Sequence, residues 1–127
     1  MPLVRISLPA GKSSDYRRAL GDGVHRALVE TVKIPAADRF QVLTEHAPDG
    51  LLIEPSYLGI DHTADCVLIQ IFLRSGRSVE IKQALYAAIA ENLHAPPVGL
   101  RKEDVIICLV ENEAADWSFG NGVAQYV

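Results

Sequence analysis

Ser7-Leu8-Pro9-Ala10-Gly11-Lys12-Ser13-Ser14-Asp15-Tyr16-Arg17-Arg18-Ala19-Leu20 returns 65 positions later as Phe72-Leu73-Arg74-Ser75-Gly76-Arg77-Ser78-Val79-Glu80-Ile81-Lys82-Gln83-Ala84-Leu85. Five pairs are identical and three more keep their charge. A shift one residue larger sets Asp38 on Asp104 and Leu43-Thr44-Glu45 on Leu109-Val110-Glu111. Self-similarity at a fixed offset reads as one structural unit used twice. The repeat spans approximately residues 2–62 and 65–127 of a single domain, a length that can bury one core.

Each unit reads as strand, Gly-containing turn, helix, strand. Leu3 to Leu8 and Val67 to Leu73 are the opening strands, apolar and too short for helices. Ser13 or Ser14, and Ser78, can cap helices whose first turns carry Asp15 and Glu80, acids suited to the positive end of a helix dipole. Tyr16, Leu20, Val24, Ala27 and Leu28 recur at helical spacing, as do Ile81, Leu85, Ala88 and Ile89. The helices are expected to stop near Lys33 and His94, ahead of Pro35 and Pro96-Pro97. Second strands follow at Phe40 to Glu45 and Val105 to Val110, with short hairpin-like pieces around Leu51 to Ile53 and Ser118 to Tyr126. Two right-handed crossovers of this kind predict an α/β (α+β) fold, a four-stranded sheet with both helices on one face.

Two helices cover only one face of such a sheet. Val67 to Leu73 and Val105 to Val110 are nearly continuous apolar runs, the pattern of strands buried on both sides. The second face is therefore expected to meet other copies of the chain. A formal charge of -4 and a pI near 5.5 argue against nucleic acid or an anionic membrane as the partner. No run approaches the length of a membrane span, and MPLVRISLPAGK lacks the build of a secretory leader, so a cytoplasmic protein is expected. Cys66 and Cys108 lie singly in apolar runs, without C-x-x-C spacing, and read as buried reduced thiols. Asp61-His62 with Asp65-Cys66 matches no metal-binding spacing, and no glycine pattern suggests a nucleotide, so no cofactor is predicted.

Arg74 and Arg77 flank the tight Ser75-Gly76 turn, whereas the first unit has Pro9 and Lys12 there. Paired guanidiniums at one turn can grip a carboxylate in bidentate fashion. Pro2, if Met1 is removed, presents a secondary amine that can act as a base, as an acid, or condense with a carbonyl. A retained Met1 converts that nitrogen to an amide and removes all three options.

Four features together, Met1-Pro2, the duplicated unit, Ile34-Pro35-Ala36-Ala37-Asp38-Arg39-Phe40-Gln41 and the tail Val110-Glu111-Asn112-Glu113-Ala114-Ala115-Asp116-Trp117-Ser118-Phe119-Gly120, resemble the malonate semialdehyde decarboxylase branch of the tautomerase superfamily. The likeness covers almost the whole chain. It implies a homotrimer of duplicated units with an active site around an N-terminal proline, here Pro2. It also implies that Asp38 is the catalytic aspartate, and that Trp117, Phe119 and Tyr126 wall an apolar pocket. His25 matches a helix histidine of the decarboxylase and is read as structural. The arginines depart from the pattern: Arg74 and Arg77 have two residues between them rather than one, a spacing similar to the cis-3-chloroacrylic acid dehalogenase branch. Either arginine can thus be the carboxylate ligand. The expected reaction is decarboxylation of a small 3-oxo or unsaturated carboxylate, first malonate semialdehyde. Keto-enol tautomerisation, hydration of an acetylenic or haloacrylic acid, and a non-catalytic effector-binding trimer are the alternatives.

Overall fold

Val4, Ile6 and Leu8 alternate with Leu3, Arg5 and Ser7 along the first strand, and that alternation decides which face meets the helices. The computed structural model describes all of residues 1–127. Its elements are β1 (Leu3–Pro9), α1 (Ser14–Ala27), β2 (Phe40–His46), β3 (Ser56–Tyr57), β4 (Ile60–Asp61), β5 (Val67–Arg74), α2 (Val79–His94) and β6 (Val105–Asn112). The main sheet has the order β2-β1-β5-β6, with β1 parallel to β2, β5 parallel to β6, and the two units joined by the antiparallel pair β1 and β5. This is the predicted fold, an α+β arrangement of duplicated β-α-β units.

The core lies between the sheet and the two helices. Val4, Ile6 and Leu8 of β1 and Val67, Ile69, Ile71 and Leu73 of β5 pack against Leu20 and Val24 of α1 and Leu85, Ile89 and Leu93 of α2. Burying a Val, Leu or Ile side chain contributes about 1.5–3 kcal/mol, so this stripe dominates the stability of the unit. The helices cross at Gly23, where an added Cβ would lie 2.8 Å from Leu93 and where Asn92 Nδ2 donates to the Gly23 carbonyl at 2.9 Å. Ser13 and Ser78 are the N-caps, accepting from the amides of Tyr16 and Ile81 at 3.0 and 3.2 Å. A π-helical turn over Leu28–Val32 prolongs α1, and Lys33, left-handed at φ 64°, ends it where Pro35 required.

Two expectations need correction. The short hairpin is Ser56–Tyr57 with Ile60–Asp61, turned at Leu58 and Gly59 with φ of 53° and 76°. Leu51 to Ile53 and Ser118 to Tyr126 form no strand. Leu51 and Ile53 instead line a cavity, and Phe119 and Tyr126 pack edge-on, while Leu52 and Val123 are exposed. The second correction concerns burial. Cys66 is buried as expected but Cys108 is exposed, because it lies on the face of β6 that the two helices, as expected, leave uncovered within the chain. The uncovered face carries three rows across the sheet: Phe40, Leu3, Phe72 and Val110; then Val42, Arg5, Gln70 and Cys108; then Thr44, Ser7, Leu68 and Ile106. No helix is long and apolar enough to cross a membrane.

Candidate active site

The sheet register brings the start of the chain between two of the predicted site residues. Leu3 pairs in parallel with Phe40 and in antiparallel with Phe72. The residues just before Leu3 therefore run beside Arg39 and Asp38 on one side and beside Leu73 and Arg74 on the other. Pro2 is buried at this position. The α-amine of Met1 forms an ion pair with Asp38 Oδ2, and Met1 is only 8 % exposed. Asp38 is held in a turn whose amide donates to the Pro35 carbonyl at 3.0 Å.

Arg74 ends β5 and Arg77 follows the Gly76 turn, where φ of 112° suits a residue without Cβ. Arg77 Nη1 donates to the Arg74 carbonyl at 2.6 Å, and the Ser75 amide donates to the Asn112 carbonyl at 2.8 Å. Neither guanidinium is ion-paired to a carboxylate. Burial lowers the Arg77 pKa, repulsion by Arg74 lowers it further, and Glu111 opposes both. Burial likewise lowers the Met1 ammonium from 8.0 to about 6, with Arg77 and then Arg74 adding to the fall. An amine at this end of β1 thus sits in a field of unneutralised positive charge with one carboxylate against it.

The predicted aromatic residues come together at the same end of the sheet. Trp117 stacks on Phe119 at 5.5 Å and 3°, and Tyr126 meets Phe119 edge-on at 5.4 Å. Trp117 Nε1 donates to Asn112 Oδ1 at 2.7 Å, and the Phe119 amide to Gln125 Oε1 at 2.9 Å. Two participants were not singled out from the sequence. Phe40 packs on Phe119 at 5.4 Å, and Asn112 pairs with Arg74 across the sheet while holding Trp117. The available signals were the place of Phe40 two residues after Asp38 and that of Asn112 at the end of the last strand. His25 Nε2 meets the Ala36 carbonyl at 2.8 Å, tying α1 to the loop before Asp38. His62 meets the Glu54 carbonyl through Nδ1, and no group of three or more His, Cys, Asp or Glu side chains is placed to hold a metal ion.

Comparison with known proteins adds to this geometry. Two family models described as tautomerase enzymes match residues 38–120 and residues 2–60. The probable tautomerase YusQ of Bacillus subtilis is 38% identical over 127 residues, 100% of this chain and 99% of that protein. An FG41 malonate semialdehyde decarboxylase, solved in complex with the inhibitor 3-bromopropiolate, superposes with a TM-score of 0.91 at 47% identity, covering 98% of this chain and 93% of that one. A second malonate semialdehyde decarboxylase has a TM-score of 0.91 at 35% identity, covering 98% and 95%. It was solved as wild type, inactivated, and with the proline at its position one replaced by alanine, to account for decarboxylase and hydratase activities. A fused 4-OT, a symmetric trimer, has a TM-score of 0.79 at 26% identity, covering 98% and 97%.

Proposed function

The chain belongs to the tautomerase superfamily, and from that membership we propose that it is a malonate semialdehyde decarboxylase-like enzyme working through the amine of Pro2 after loss of Met1. The observation that carries this reading is the meeting of the chain's amine, Asp38 and two unpaired guanidiniums at the start of β1. Each has a task. Arg74 and Arg77 hold the substrate carboxylate and fix its rotation, so that the bond to be broken lies across the plane of the neighbouring carbonyl. Cationic Pro2 polarises that carbonyl, or Pro2 as the neutral amine condenses with it to an iminium and releases water. The carbon–carbon bond then breaks, its electron pair passes into the carbonyl system as an enol or enamine, and carbon dioxide leaves. A proton added to the nucleophilic carbon completes the aldehyde from the enol; from the enamine it gives an iminium, which water hydrolyses to release the aldehyde and the free amine. Asp38 sets the protonation state of the amine.

The apolar wall of Trp117, Phe119, Tyr126 and Phe40 favours the neutral product over the charged carboxylate and strengthens the electrostatics at the amine. The uncovered sheet face, apolar in its first row, is assigned to contacts between subunits of a homotrimer, and the similar fused 4-OT is a symmetric trimer. Hydration of an unsaturated acid is the second reading, favoured by the Asp38 carboxylate, which can activate water beside the same carboxylate grip. A screen of Met-free protein against malonate semialdehyde, phenylpyruvate enol and 2-oxo-3-pentynoate tests the assignment. Selective loss of carbon dioxide from malonate semialdehyde is expected. Efficient turnover of the enol alone would make the chain a tautomerase, and turnover of 2-oxo-3-pentynoate alone would make it a hydratase.

A further inference from the structure

The internal repeat gives the catalytic end of the sheet a counterpart at the opposite end. Shifts of 65 to 66 residues set Pro9 against Arg74, Lys12 against Arg77, His46 against Asn112, Leu51 against Trp117 and Ile53 against Phe119. The backbone repeats the relation: Pro9 pairs with His46 as Arg74 pairs with Asn112, and the Ala10 amide donates to the His46 carbonyl at 2.9 Å as the Ser75 amide does to Asn112. At this counterpart lies a cavity of about 240 Å³. Its walls include Pro9, His46, Leu51, Ile53 and Cys66.

The differences between the two ends decide what the cavity can hold. Asn112 Oδ1 is satisfied by the indole of Trp117, but the Leu51 side chain has no N–H to offer, and His46 Nε2 is buried without any hydrogen-bond partner. A buried polar atom without a partner is rare in a folded protein because leaving it so is costly. The cationic grip is also missing. Pro9 carries no charge, and Lys12 is drawn away to Asp65 at 2.8 Å. Apolar walls, no free cation and one orphaned nitrogen describe a site for an uncharged molecule. Apolar cavities of about 150 Å³ already accept a benzene-sized guest, so the space is sufficient.

We propose that the cavity between Pro9, His46, Leu51 and Cys66 is a second ligand site, taking a small uncharged molecule whose apolar body fills the pocket and whose single hydroxyl meets His46 Nε2. A hydroxyl both donates and accepts, so it serves either tautomer of the imidazole. The site lies roughly 23 Å from Pro2, the length of seven strand residues, and is separate from the carboxylate pocket.

Phenol is a suitable probe, with toluene as the same shape lacking the hydroxyl. In titrations of the isotopically labelled full chain followed by amide resonances, phenol should shift Ala10, Leu51 and Ala64 saturably and bind more tightly than toluene. His46→Phe keeps a ring in place and removes the nitrogen. It should weaken phenol roughly two- to tenfold, the worth of one neutral hydrogen bond, and abolish its advantage over toluene. Leu51→Trp fills the space and offers an N–H to His46, and should eliminate binding of both. Dispersed amide spectra of the variants establish that they fold. Absence of saturable shifts at these amides up to tens of millimolar phenol, or an unchanged preference for phenol in His46→Phe, overturns the proposal. The readout needs no turnover, so it stands or falls independently of the decarboxylase reading.

Discussion

Asp104 accepts hydrogen bonds from both the amide and the hydroxyl of Thr63, at 2.7 and 2.5 Å, and is only 1 % exposed. Thr63 lies just before β5, as Met1 lies just before β1, and Asp38, the repeat mate of Asp104, meets the amine of Met1. One aspartate position thus serves two ends of the sheet. In the second unit it fastens a continuous chain; in the first it faces a terminus.

That division predicts opposite phenotypes for the same substitution. Asp104→Asn removes a charge-assisted acceptor from a buried pair, and urea unfolding should show a loss of about 1.5–3 kcal/mol with catalysis retained. Asp38→Asn should leave the unfolding midpoint of Met-free protein nearly unchanged and impair turnover. Turnover like the parent in Asp38→Asn would return Asp38 to a turn residue.

Activity should track the free amine of Pro2. Pro2→Ala exchanges a secondary amine for a primary one and should lose much of the activity. Forms retaining Met1, in which a buried residue and its ammonium lie against Asp38, should lose nearly all of it. Mass spectrometry of each preparation beside its kinetics checks this. Full turnover with Met1 in place would show that the amine has been misassigned.

The repeat made the strands and helices legible, because caps, apolar spacing and turn glycines all recur in both units. The hairpin over Ser56–Asp61 was not legible, since two-residue strands carry no alternation to read. Arg74 and Arg77 stood out by their charge at a turn. Phe40 and Asn112 did not, because their parts depend on cross-strand register and on one indole hydrogen bond. Cys108 was expected to be buried because its run is apolar throughout. Within the chain its face of the sheet is open, and the residue is exposed.

The amine at the start of β1 offers a pH test. In the Met1-bearing chain it should titrate near 6, seen as the pH dependence of its acetylation. Arg77→Ala removes the stronger cationic neighbour and should raise that pKa; Arg74→Ala should raise it less. Between pH 6 and 8 the unfolded chain binds more protons at this amine than the folded one, so its contribution makes stability rise with pH across that window. The slope should flatten in Arg77→Ala. An unshifted titration in both variants would remove the arginines from the amine's surroundings.

The two arginines should also separate in kinetics. Arg74 is exposed and its side chain makes no hydrogen bond or ion pair within the chain, so Arg74→Ala breaks no contact of the fold and acts through the substrate and through the charge it removes beside the amine. Arg77 also ties the turn through its bond to the Arg74 carbonyl at 2.6 Å, so Arg77→Ala must be read beside its melting temperature. A charge-assisted contact to a carboxylate contributes about 1.5–3 kcal/mol, which corresponds to a roughly ten- to hundredfold or greater fall in kcat/KM for whichever arginine binds it. Lysine should restore only part, since it keeps the charge and loses the planar fork. If the substrate is bound equally in ground and transition states, the loss falls on KM. If the arginine holds the carboxylate in the geometry needed for bond breaking, kcat falls with it. Unchanged kinetics on every carboxylate substrate in both alanine variants would leave no anion site at the Gly76 turn and would take both arginines out of the mechanism. No turnover of any of these substrates by the Met-free parent would instead replace the decarboxylase with a non-catalytic, effector-binding trimer.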